Sequence, residues 1–370
     1  MGRFAKILYG VTKPNGGGKS ERLLIVLKNK HCYHKCLWEM KSVGLQPVKK
    51  LFGIHAVCCH VPEGADLFEL QRHGMVKRIE RDVKVKLHQE SQPVISSQTT
   101  PWGIRRIRAN EVWNDTTGRR VKVAVLDTGI SDHTDLKVAG RHSTINQKQA
   151  LDPNGHGTHV AGTIAALNNT FGVVGVAPNV SLYAVKAFQK NGSAFLSDII
   201  EGITWCIRNG MQVINMSFGM SQRSESLHEV IQRAFRNGIV MVASAGNDGP
   251  NNQRLDYPAL FSETIAVAAA AKGEGIANFS SRGEGIDVSA PGVGILSTVG
   301  TNRYQEKSGT SMAAPHVTGT AALLLSLRPS LTTDEIKSIL RSTATPISGY
   351  SQREQGSGII NAERAVNSLR

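Results

Sequence analysis

The sequence predicts an α/β protein whose main part has three layers, α/β/α, with helices on both faces of a mostly parallel central sheet. Two observations support this from residue 101 onward: strands of nearly continuous apolar residues alternate with helical patterns, and these strands contain few polar positions. A third observation is that a β-α-β-β-α-β pattern precedes them over residues 22–88. That order predicts a small ferredoxin-like α+β domain in front of the main domain.

The small domain is predicted from hydrophobic periodicity. Its expected strands cover 23–28, 46–52, 54–61 and 76–87, and its expected helices cover 34–44 and 65–74. Residues 1–21 contain a Lys-Pro-Asn turn followed by three glycines, so we expect a flexible N-terminal tail. Residues 89–100 are polar and turn-prone, which indicates a linker between the two domains.

The main domain, residues 101–370, is predicted from alternating apolar and amphipathic segments. Its expected strands cover 121–127, 180–188, 212–219, 239–247 and 264–270, and its expected helices cover 159–167, 197–210, 226–238 and 332–344. A long apolar helical pattern also begins near Ser311 and extends to Leu327. In sheets of this kind, ligands bind beyond the carboxyl ends of the strands, so polar residues at those ends are the candidates for function.

The charge of the chain is uneven. Its 370 residues carry a net charge of +14, and the part before Ser96 has 17 Lys and Arg against 8 Asp and Glu. A nucleic acid or a membrane surface could attract such a segment. However, no stripe of basic and aromatic residues and no apolar run of bilayer length occurs. We therefore expect no nucleic-acid partner and no membrane partner, and favour docking of the basic segment on the rest of the chain.

The cysteines bear on metal binding and on the compartment. Five cysteines at irregular spacing do not indicate a disulfide framework, and their spacing relative to nearby histidines matches no common zinc site. Several cysteines in a short segment weakly indicate a reducing compartment. The N-terminal apolar patch lacks the features of a secretory signal, so the default expectation is a cytoplasmic protein, with secretion as the alternative.

Three residues could together catalyse acyl transfer. Asp127 ends a predicted buried strand, His156 lies in the segment NGHGTHVAG, and Ser311 stands at the start of the long helix. Each has an ordinary structural explanation when taken alone. Together they supply the nucleophile, the base and the orienting carboxylate that acyl transfer needs. Asn247 follows a predicted strand and could donate to an oxyanion. His159 is the competing histidine in the same segment.

The order of the motifs carries a family resemblance. The segments VAVLDTGI, NGHGTHVAG, INMSFG, ASAGN and GTSMAAPHV resemble the subtilisin family of serine peptidases over residues 101–370. The resemblance implies a monomeric serine endopeptidase that cleaves proteins or peptides. It also implies that Ser311 is the nucleophile, His156 the general acid and base, Asp127 the orienting carboxylate and Asn247 the oxyanion donor.

The main alternative is a non-catalytic binding or regulatory protein that retains the fold. All four positions carry the residues that catalysis requires, which favours the enzyme.

The small domain also has a counterpart in the family. Residues 22–88 are similar to its inhibitor-type propeptide, which acts first as a folding template and then as an inhibitor. This resemblance gives the basic segment a partner, namely the catalytic domain of the same chain. The expected processing site lies within residues 88–97: one alignment puts it after Ser96 and another nearer to His88.

The resemblance implies a calcium site as well. The family site corresponds here to Gln98, Asp135, Leu167, Asn169, Phe171 and Val173. Calcium takes several oxygen ligands, and backbone carbonyls of Leu167, Phe171 and Val173 would supply some of them. The alternative is an ordinary surface loop.

A weaker cation site could lie near Ala259, Phe261, Thr264 and Asp287. It is not predicted, because the second acidic position of the family falls on Gly285.

Substrate binding is expected along a second group of residues. In the family the substrate forms an additional strand beside Ser217, Phe218 and Gly219, and the first specificity pocket is lined here by Ala245, Gly246, Asp248 and Asp256. Two carboxylates in one pocket favour a cation, so cleavage after Lys or Arg is expected. The alternative is that both carboxylates face solvent. Neither candidate processing site ends in Lys or Arg.

Overall fold

The computed structural model describes residues 3–12, 20–86, 97–145, 150–251, 253–273 and 275–370. The N-terminal part contains helices α1 (Arg3–Thr12), α2 (Lys30–Ser42) and α3 (Phe68–Gln71), and strands β1 (Ser20–Leu27), β2 (Lys49–Leu51), β3 (Ala56–Pro62), β4 (Val76–Arg81) and β5 (Lys84–Lys86). Four of these strands form an antiparallel sheet in the order β2-β3-β1-β4. This is the order that the β-α-β-β-α-β pattern predicts.

The expectation of a flexible tail over residues 1–21 is wrong for Arg3–Thr12, which forms α1. Phe4 and Leu8 lie one helical turn apart and are buried in the core of the small domain. The N–H of Ala5 donates to the buried carboxylate of Glu39 at 3.0 Å, so α2 supplies an N-terminal hydrogen-bond partner for α1. The glycine-rich part of the expected tail lies outside the described residues.

The predicted strand over 76–87 is divided in the structure. Strand β4 ends at Arg81, and β5 pairs instead with β9 (Ser193–Phe195) in an antiparallel arrangement. The division coincides with Asp82, whose carboxylate accepts hydrogen bonds from the N–H and hydroxyl of Ser197 at 2.7 and 2.6 Å. The chain therefore leaves the small sheet at a residue whose side chain is bonded to the main domain.

The main domain has the predicted α/β/α architecture. Its remaining strands are β6 (Lys122–Asp127), β7 (Val138–Ser143), β8 (Ser181–Lys186), β10 (Val213–Met216), β11 (Val240–Ser244), β12 (Ile265–Ala270), β13 (Val288–Pro291), β14 (Ile295–Val299) and β15 (Arg303–Lys307). Its helices are α4 (Trp102–Arg106), α5 (His156–Ala165), α6 (Leu196–Arg208), α7 (Glu225–Arg236), α8 (Thr310–Leu327), α9 (Thr333–Ser342), α10 (Gln352–Gln355) and α11 (Ala362–Asn367). The parallel central sheet has the order β13-β12-β11-β10-β6-β8-β7, and β14 and β15 form an antiparallel hairpin.

The central sheet separates two hydrophobic cores. In β6, Val123 and Val125 face the core that contains α5 and α8, whereas Ala124 and Leu126 face the core that contains α6 and α7. This alternation follows from the two-residue period of a strand. The second core also includes residues of β1, β2 and β3, so the small domain packs its sheet against α6 and α7. No helix in the described part of the chain has the length and apolarity needed to cross a bilayer.

Candidate active site

Asp127 and His156 meet where β6 ends and α5 begins. Both side chains are fully buried, and His156 Nδ1 lies 2.9 Å from each carboxylate oxygen of Asp127. The backbone N–H of Thr128 also donates to Asp127 Oδ1 at 2.7 Å. A Cβ at Gly157 would lie 2.2 Å from the carbonyl oxygen of Gly129, so the close approach of α5 to β6 requires glycine there.

Asp152 fixes the turn that presents His156, a role that the sequence analysis missed. Its Oδ1 accepts the backbone N–H groups of Asn154 and Gly155 at 2.9 and 2.8 Å. Its Oδ2 accepts the N–H and hydroxyl of Thr158 at 2.8 and 2.6 Å. An Asp shortly before Asn-Gly is typical of such a turn, so a local signal was available.

Ser311 lies in the first turn of α8, as predicted, and its side chain is buried. Its hydroxyl donates to the backbone carbonyl of Ser217 at 3.0 Å, while the hydroxyl of Ser217 donates to the carbonyl of Ser311 at 2.9 Å. His156 Nε2 is buried, and within the part of the chain that the structure describes it has no hydrogen-bond partner. The structure thus joins His156 to Asp127 and leaves Nε2 open as a proton acceptor, with the Ser311 hydroxyl directed to Ser217.

The side-chain amide of Asn247 has one defined orientation. Its Oδ1 accepts the backbone N–H and the hydroxyl of Thr310 at 3.0 and 2.8 Å. Its Nδ2 therefore faces the other way, and it lies 3.3 Å from the position that a Cβ on Gly309 would occupy. This orientation leaves an N–H donor of Asn247 next to the backbone of Ser311. Thr310 was not identified from the sequence.

His159 has a structural role. Its Nε2 lies 2.8 Å from the carbonyl oxygen of Ile295 and 2.9 Å from that of Gln305. Burial lowers its pKa to about 3, so the ring is neutral and donates one shared hydrogen bond to these carbonyls. His159 therefore fastens the β14–β15 hairpin to α5.

Comparison with known proteins identifies the family. The sequence profile described as "Subtilase family" matches residues 118–358. The chain is 46% identical over 293 residues to "Thermostable alkaline protease" of Halalkalibacterium halodurans, covering 79% of this chain and 80% of the relative. It is 47% identical over 275 residues to "Subtilisin DY" of Bacillus licheniformis, covering 73% of this chain and all of the relative. The chain belongs to the subtilase family. This subtilase is a serine endopeptidase, and its substrates are proteins.

One partly buried carboxylate of this subtilase lies among the residues that are expected to bind the substrate. A Cβ at Gly219 would lie 2.4 Å from Asp256 Oδ2, and a Cβ at Gly246 would lie 2.8 Å from the same atom. Asp256 thus projects between these two glycines. Burial and, to a smaller extent, the charge of Asp248 raise the pKa of Asp256 to about 6. Asp248 is exposed, and its backbone N–H donates to Ser281 Oγ at 3.1 Å.

The residues of the expected calcium site lie together. Gln98 Nε2 donates to the carbonyl of Leu167 at 2.9 Å and lies 3.2 Å from Asn169 Oδ1. Asn169 Nδ2 donates to Asp135 Oδ1 at 2.7 Å, and the N–H of Val173 donates to Asp135 Oδ2 at 2.9 Å. Burial raises the pKa of Asp135. A cation bound beside this carboxylate would lower the pKa again.

The loop around Phe171 is bonded to Asn169 of the expected calcium site. The N–H of Phe171 donates to Asn169 Oδ1 at 2.9 Å, and the side chain of Phe171 is exposed. In the described ranges no three His, Cys, Asp or Glu side chains form a metal-binding group. The expected calcium site contains only one such side chain and would take its other oxygens from amides and carbonyls, which is a donor set that calcium accepts.

A lysine lies at the weaker cation site. Lys337 Nζ donates to the carbonyls of Ser262 and Thr264 at 3.1 and 2.8 Å and pairs with Asp287 Oδ2 at 2.9 Å. The Thr264 hydroxyl donates to the carbonyl of Phe261 at 2.9 Å. The ammonium group therefore supplies the positive charge that a metal ion would bring.

Proposed function

We propose that Ser311 is the nucleophile of this endopeptidase. After rotation about χ1, the Ser311 hydroxyl gives its proton to His156 Nε2 while its oxygen attacks the substrate carbonyl. Asp127 holds the imidazole in the tautomer that has its proton on Nδ1. The oxyanion receives hydrogen bonds from Asn247 Nδ2 and from the backbone N–H of Ser311. His156 then protonates the leaving amine, and water hydrolyses the acyl-enzyme in a second cycle.

The observation that carries this proposal is the buried Nε2 of His156, which has no hydrogen-bond partner among the described residues and whose opposite nitrogen is fixed by Asp127. The test is labelling with a fluorophosphonate, followed by mass spectrometry of the peptide that contains residue 311. We expect one adduct on Ser311, no adduct in Ser311→Ala, and strongly slowed labelling in His156→Ala. Failure of the wild-type protein to react, together with inactivity on denatured protein, would instead support the non-catalytic alternative.

We also propose a preference for Lys or Arg immediately before the scissile bond. Asp256 supports it because its carboxylate lies between Gly219 and Gly246, where a substrate side chain entering the pocket would meet it. The exposed rim position of Asp248 gives that residue a weaker, screened contribution. Matched peptides that differ only at this residue test the preference. Equal kcat/KM after Arg, Leu and Phe would overturn it.

We propose that residues 22–88 are a propeptide that templates folding and then inhibits residues 101–370. Two of its carboxylates support this by bonding to helix N-termini of the main domain. Glu80 accepts from Ser224 Oγ at 2.7 Å and from the N–H of Ser226 at 3.1 Å, at the start of α7. Asp82 accepts the backbone N–H of Ser197 at 2.7 Å, at the start of α6. Such carboxylates complement the helix dipole.

The strand pairing of β5 supports inhibition. Val85 lies opposite Ala194 in the β5–β9 ladder, so the end of the propeptide docks on the main domain as an added strand. Residues 89–100 would be the linker, and processing would occur within 88–97, most of which lies outside the described residues. N-terminal sequencing of the processed enzyme tests the position. Processing outside 88–97 would contradict these boundaries.

We propose that calcium binds at Gln98, Asp135, Leu167, Asn169, Phe171 and Val173. Rotating the amides of Gln98 and Asn169 would present oxygens beside the Asp135 carboxylate. The ion would stabilise the loop after α5 and would take no part in the chemistry. Isothermal titration with CaCl₂ tests this, with Asp135→Asn as the comparison. Equal calcium binding by both proteins would refute the site.

The compartment and the assembly state are proposals too. The family relatives named alkaline protease give the cytoplasmic expectation no support and fit the alternative, a secreted enzyme. We propose secretion and a monomer. Fractionation of the source cells and light scattering of the purified enzyme test these two statements, and activity confined to the cytosol or a stable dimer would contradict them.

A further inference from the structure

Lys186 is a buried lysine that the proposed mechanism does not use. It ends β8, and its side chain is completely buried. In the β6–β8 ladder it lies directly opposite Asp127, at the carboxyl edge of the central sheet. Because an ammonium group loses strong hydration when it leaves water, lysines are rarely buried to this extent. The place of this lysine beside Asp127 therefore points to a role in the site.

The ammonium group of Lys186 is bonded to the residue that follows Asp127. Its Nζ donates a hydrogen bond to the backbone carbonyl of Thr128. The N–H of Thr128 donates to Asp127 Oδ1 at 2.7 Å, and the Thr128 hydroxyl accepts the N–H of Gly157 at 2.9 Å. Lys186 thus holds the one residue that bonds both to the Asp127 carboxylate and to the residue after His156.

Two carboxylates interact with the charge of Lys186. Burial lowers the pKa of this lysine, and the carboxylates of Asp152 and Asp127 oppose that effect. Asp152 fixes the turn before α5, and Asp127 holds the imidazole of His156. The ammonium group is therefore coupled to both carboxylates that position His156.

Two further titratable side chains belong to the same surroundings. Lys307 ends β15 and is buried, and the same two carboxylates interact with its charge. Burial lowers the pKa of His159 to about 3, so this ring is neutral. These interactions bring two carboxylates and two ammonium groups into the neighbourhood of the His156 imidazole, namely Asp127, Asp152, Lys186 and Lys307.

The charge of Lys186 affects the step in which His156 takes up a proton. The imidazole must be neutral before it can accept the proton of the Ser311 hydroxyl. Asp127 favours the imidazolium form, whereas a nearby cation disfavours it. A cation opposite Asp127 therefore keeps the imidazole neutral, and able to act as a base, at a lower pH.

We propose that Lys186 is a positioning residue, whose ammonium group holds the Thr128 peptide against Asp127 and keeps His156 unprotonated over a wider pH range. This inference rests on the proposed roles of Ser311 and His156. Lys186 acts through Thr128 and through its charge, and it makes no contact with substrate in this role. Its proton stays on Nζ throughout.

The direct test is an NMR titration of the His156 ring in the full-length chain, in the Ser311→Ala background. Lys186→Met removes the charge and the hydrogen bond, whereas Lys186→Gln removes the charge and keeps a donor. We expect either variant to raise the titration midpoint of His156 by about one pH unit, which is a tenfold change in proton affinity. Lys186→Arg keeps the charge and should leave the midpoint near its wild-type value.

Lys122→Met is the matched control. Lys122 begins β6 at the opposite edge of the sheet, and its Nζ donates to the carbonyl of Asn209 at 3.3 Å. We expect no change in the His156 midpoint for this variant, because the charge lies far from the site.

The pH profile of kcat/KM gives a second readout in the active enzymes. Each rate is divided by the concentration of sites that react with a fluorophosphonate, so that a misfolded fraction does not count. The acidic limb of the profile should move to higher pH in the two neutral Lys186 variants, by the same amount as the NMR midpoint. A merely structural role would lower kcat/KM equally at every pH.

The outcomes separate the possible failures. An unchanged His156 midpoint in the neutral variants would overturn the inference, and so would an equal shift in Lys186→Arg or in Lys122→Met. Uniform slowing at every pH would overturn it too. If the midpoint moves as expected but the wild-type enzyme cleaves no peptide, the inference is supported and the proposed function is overturned.

Discussion

Replacing Asp256 by Asn should make the protein more stable and less selective at the same time. Asp256 has a pKa of about 6 in the folded protein against an ordinary value of 3.8. The folded state therefore holds its proton to a higher pH than the unfolded state does. The resulting loss of stability is absent below about pH 4, develops as the pH rises to about 6, and is complete above it.

The magnitude follows from the size of the shift. A difference of about two pKa units corresponds to about 3 kcal/mol as an upper limit. Because Asp256 is partly exposed, solvent screening reduces the expected value to about 1–2 kcal/mol. Asp256→Asn should therefore raise the free energy of unfolding by about 1–2 kcal/mol at pH 8 and by almost nothing at pH 4.

The loss of selectivity follows from the same carboxylate. Unit charges about 4 Å apart at an effective dielectric constant of about 20 attract by about 4 kcal/mol, and desolvation of the substrate cation offsets part of this. We expect the ratio of kcat/KM for Arg over Leu before the scissile bond to fall about 10- to 100-fold in Asp256→Asn. In the wild-type enzyme this ratio should rise with pH as Asp256 ionises near pH 6.

Two assays are needed. Stability is measured by urea denaturation at pH 4 and pH 8, in the Ser311→Ala background to prevent self-digestion. Selectivity is measured by peptide kinetics of the active enzymes. Asp248→Asn is the matched control because Asp248 is exposed, and its stability should change by less than about 0.5 kcal/mol. The reasoning would be refuted if Asp256→Asn kept its selectivity for Arg, or if its stability gain were absent at pH 8 or equally large at pH 4.

Three further expectations concern the Asp127 carboxylate, the proposed calcium site and α1. Asp127→Asn should lower kcat about 10⁴-fold, because the amide cannot hold the required imidazole tautomer; steady-state kinetics measure this, and a near-normal kcat would contradict it. Calcium at 100 times its Kd should stabilise the wild-type protein by about 2.7 kcal/mol and Asp135→Asn by much less. Thermal unfolding with and without a chelator measures this difference. Equal stabilisation of the two proteins would contradict the prediction. Phe4→Ala, in the Ser311→Ala background, should cost the small domain about 3–5 kcal/mol in urea denaturation; an unchanged transition would mean that α1 adds nothing.

Much of the architecture could be predicted because it depends on local periodicity. Apolar runs such as residues 121–127 form the parallel sheet, and the alternation of strands and helices gives its three layers. Capping signals were equally informative: Thr332 and Glu335 form the reciprocal hydrogen bonds of the predicted capping box.

The features that were missed depend on contacts between distant residues. Helix α1 is short and basic, and its stability comes from burial against α2 and α3 and from Glu39, which is 34 residues away from Ala5. Strand β5 continues the alternation of β4, so only its partner strand β9 distinguishes it.

The central claim is that Asp127, His156 and Ser311 act as one catalytic unit on peptide bonds, beginning with those of their own chain. Intact mass spectrometry of the purified 370-residue protein, beside Ser311→Ala, tests this most directly. We expect the wild-type protein to be cut within residues 88–97 and Ser311→Ala to remain uncut under the same calcium-containing conditions. Cleavage of Ser311→Ala at the same bond, with no other peptidase present, would contradict the claim.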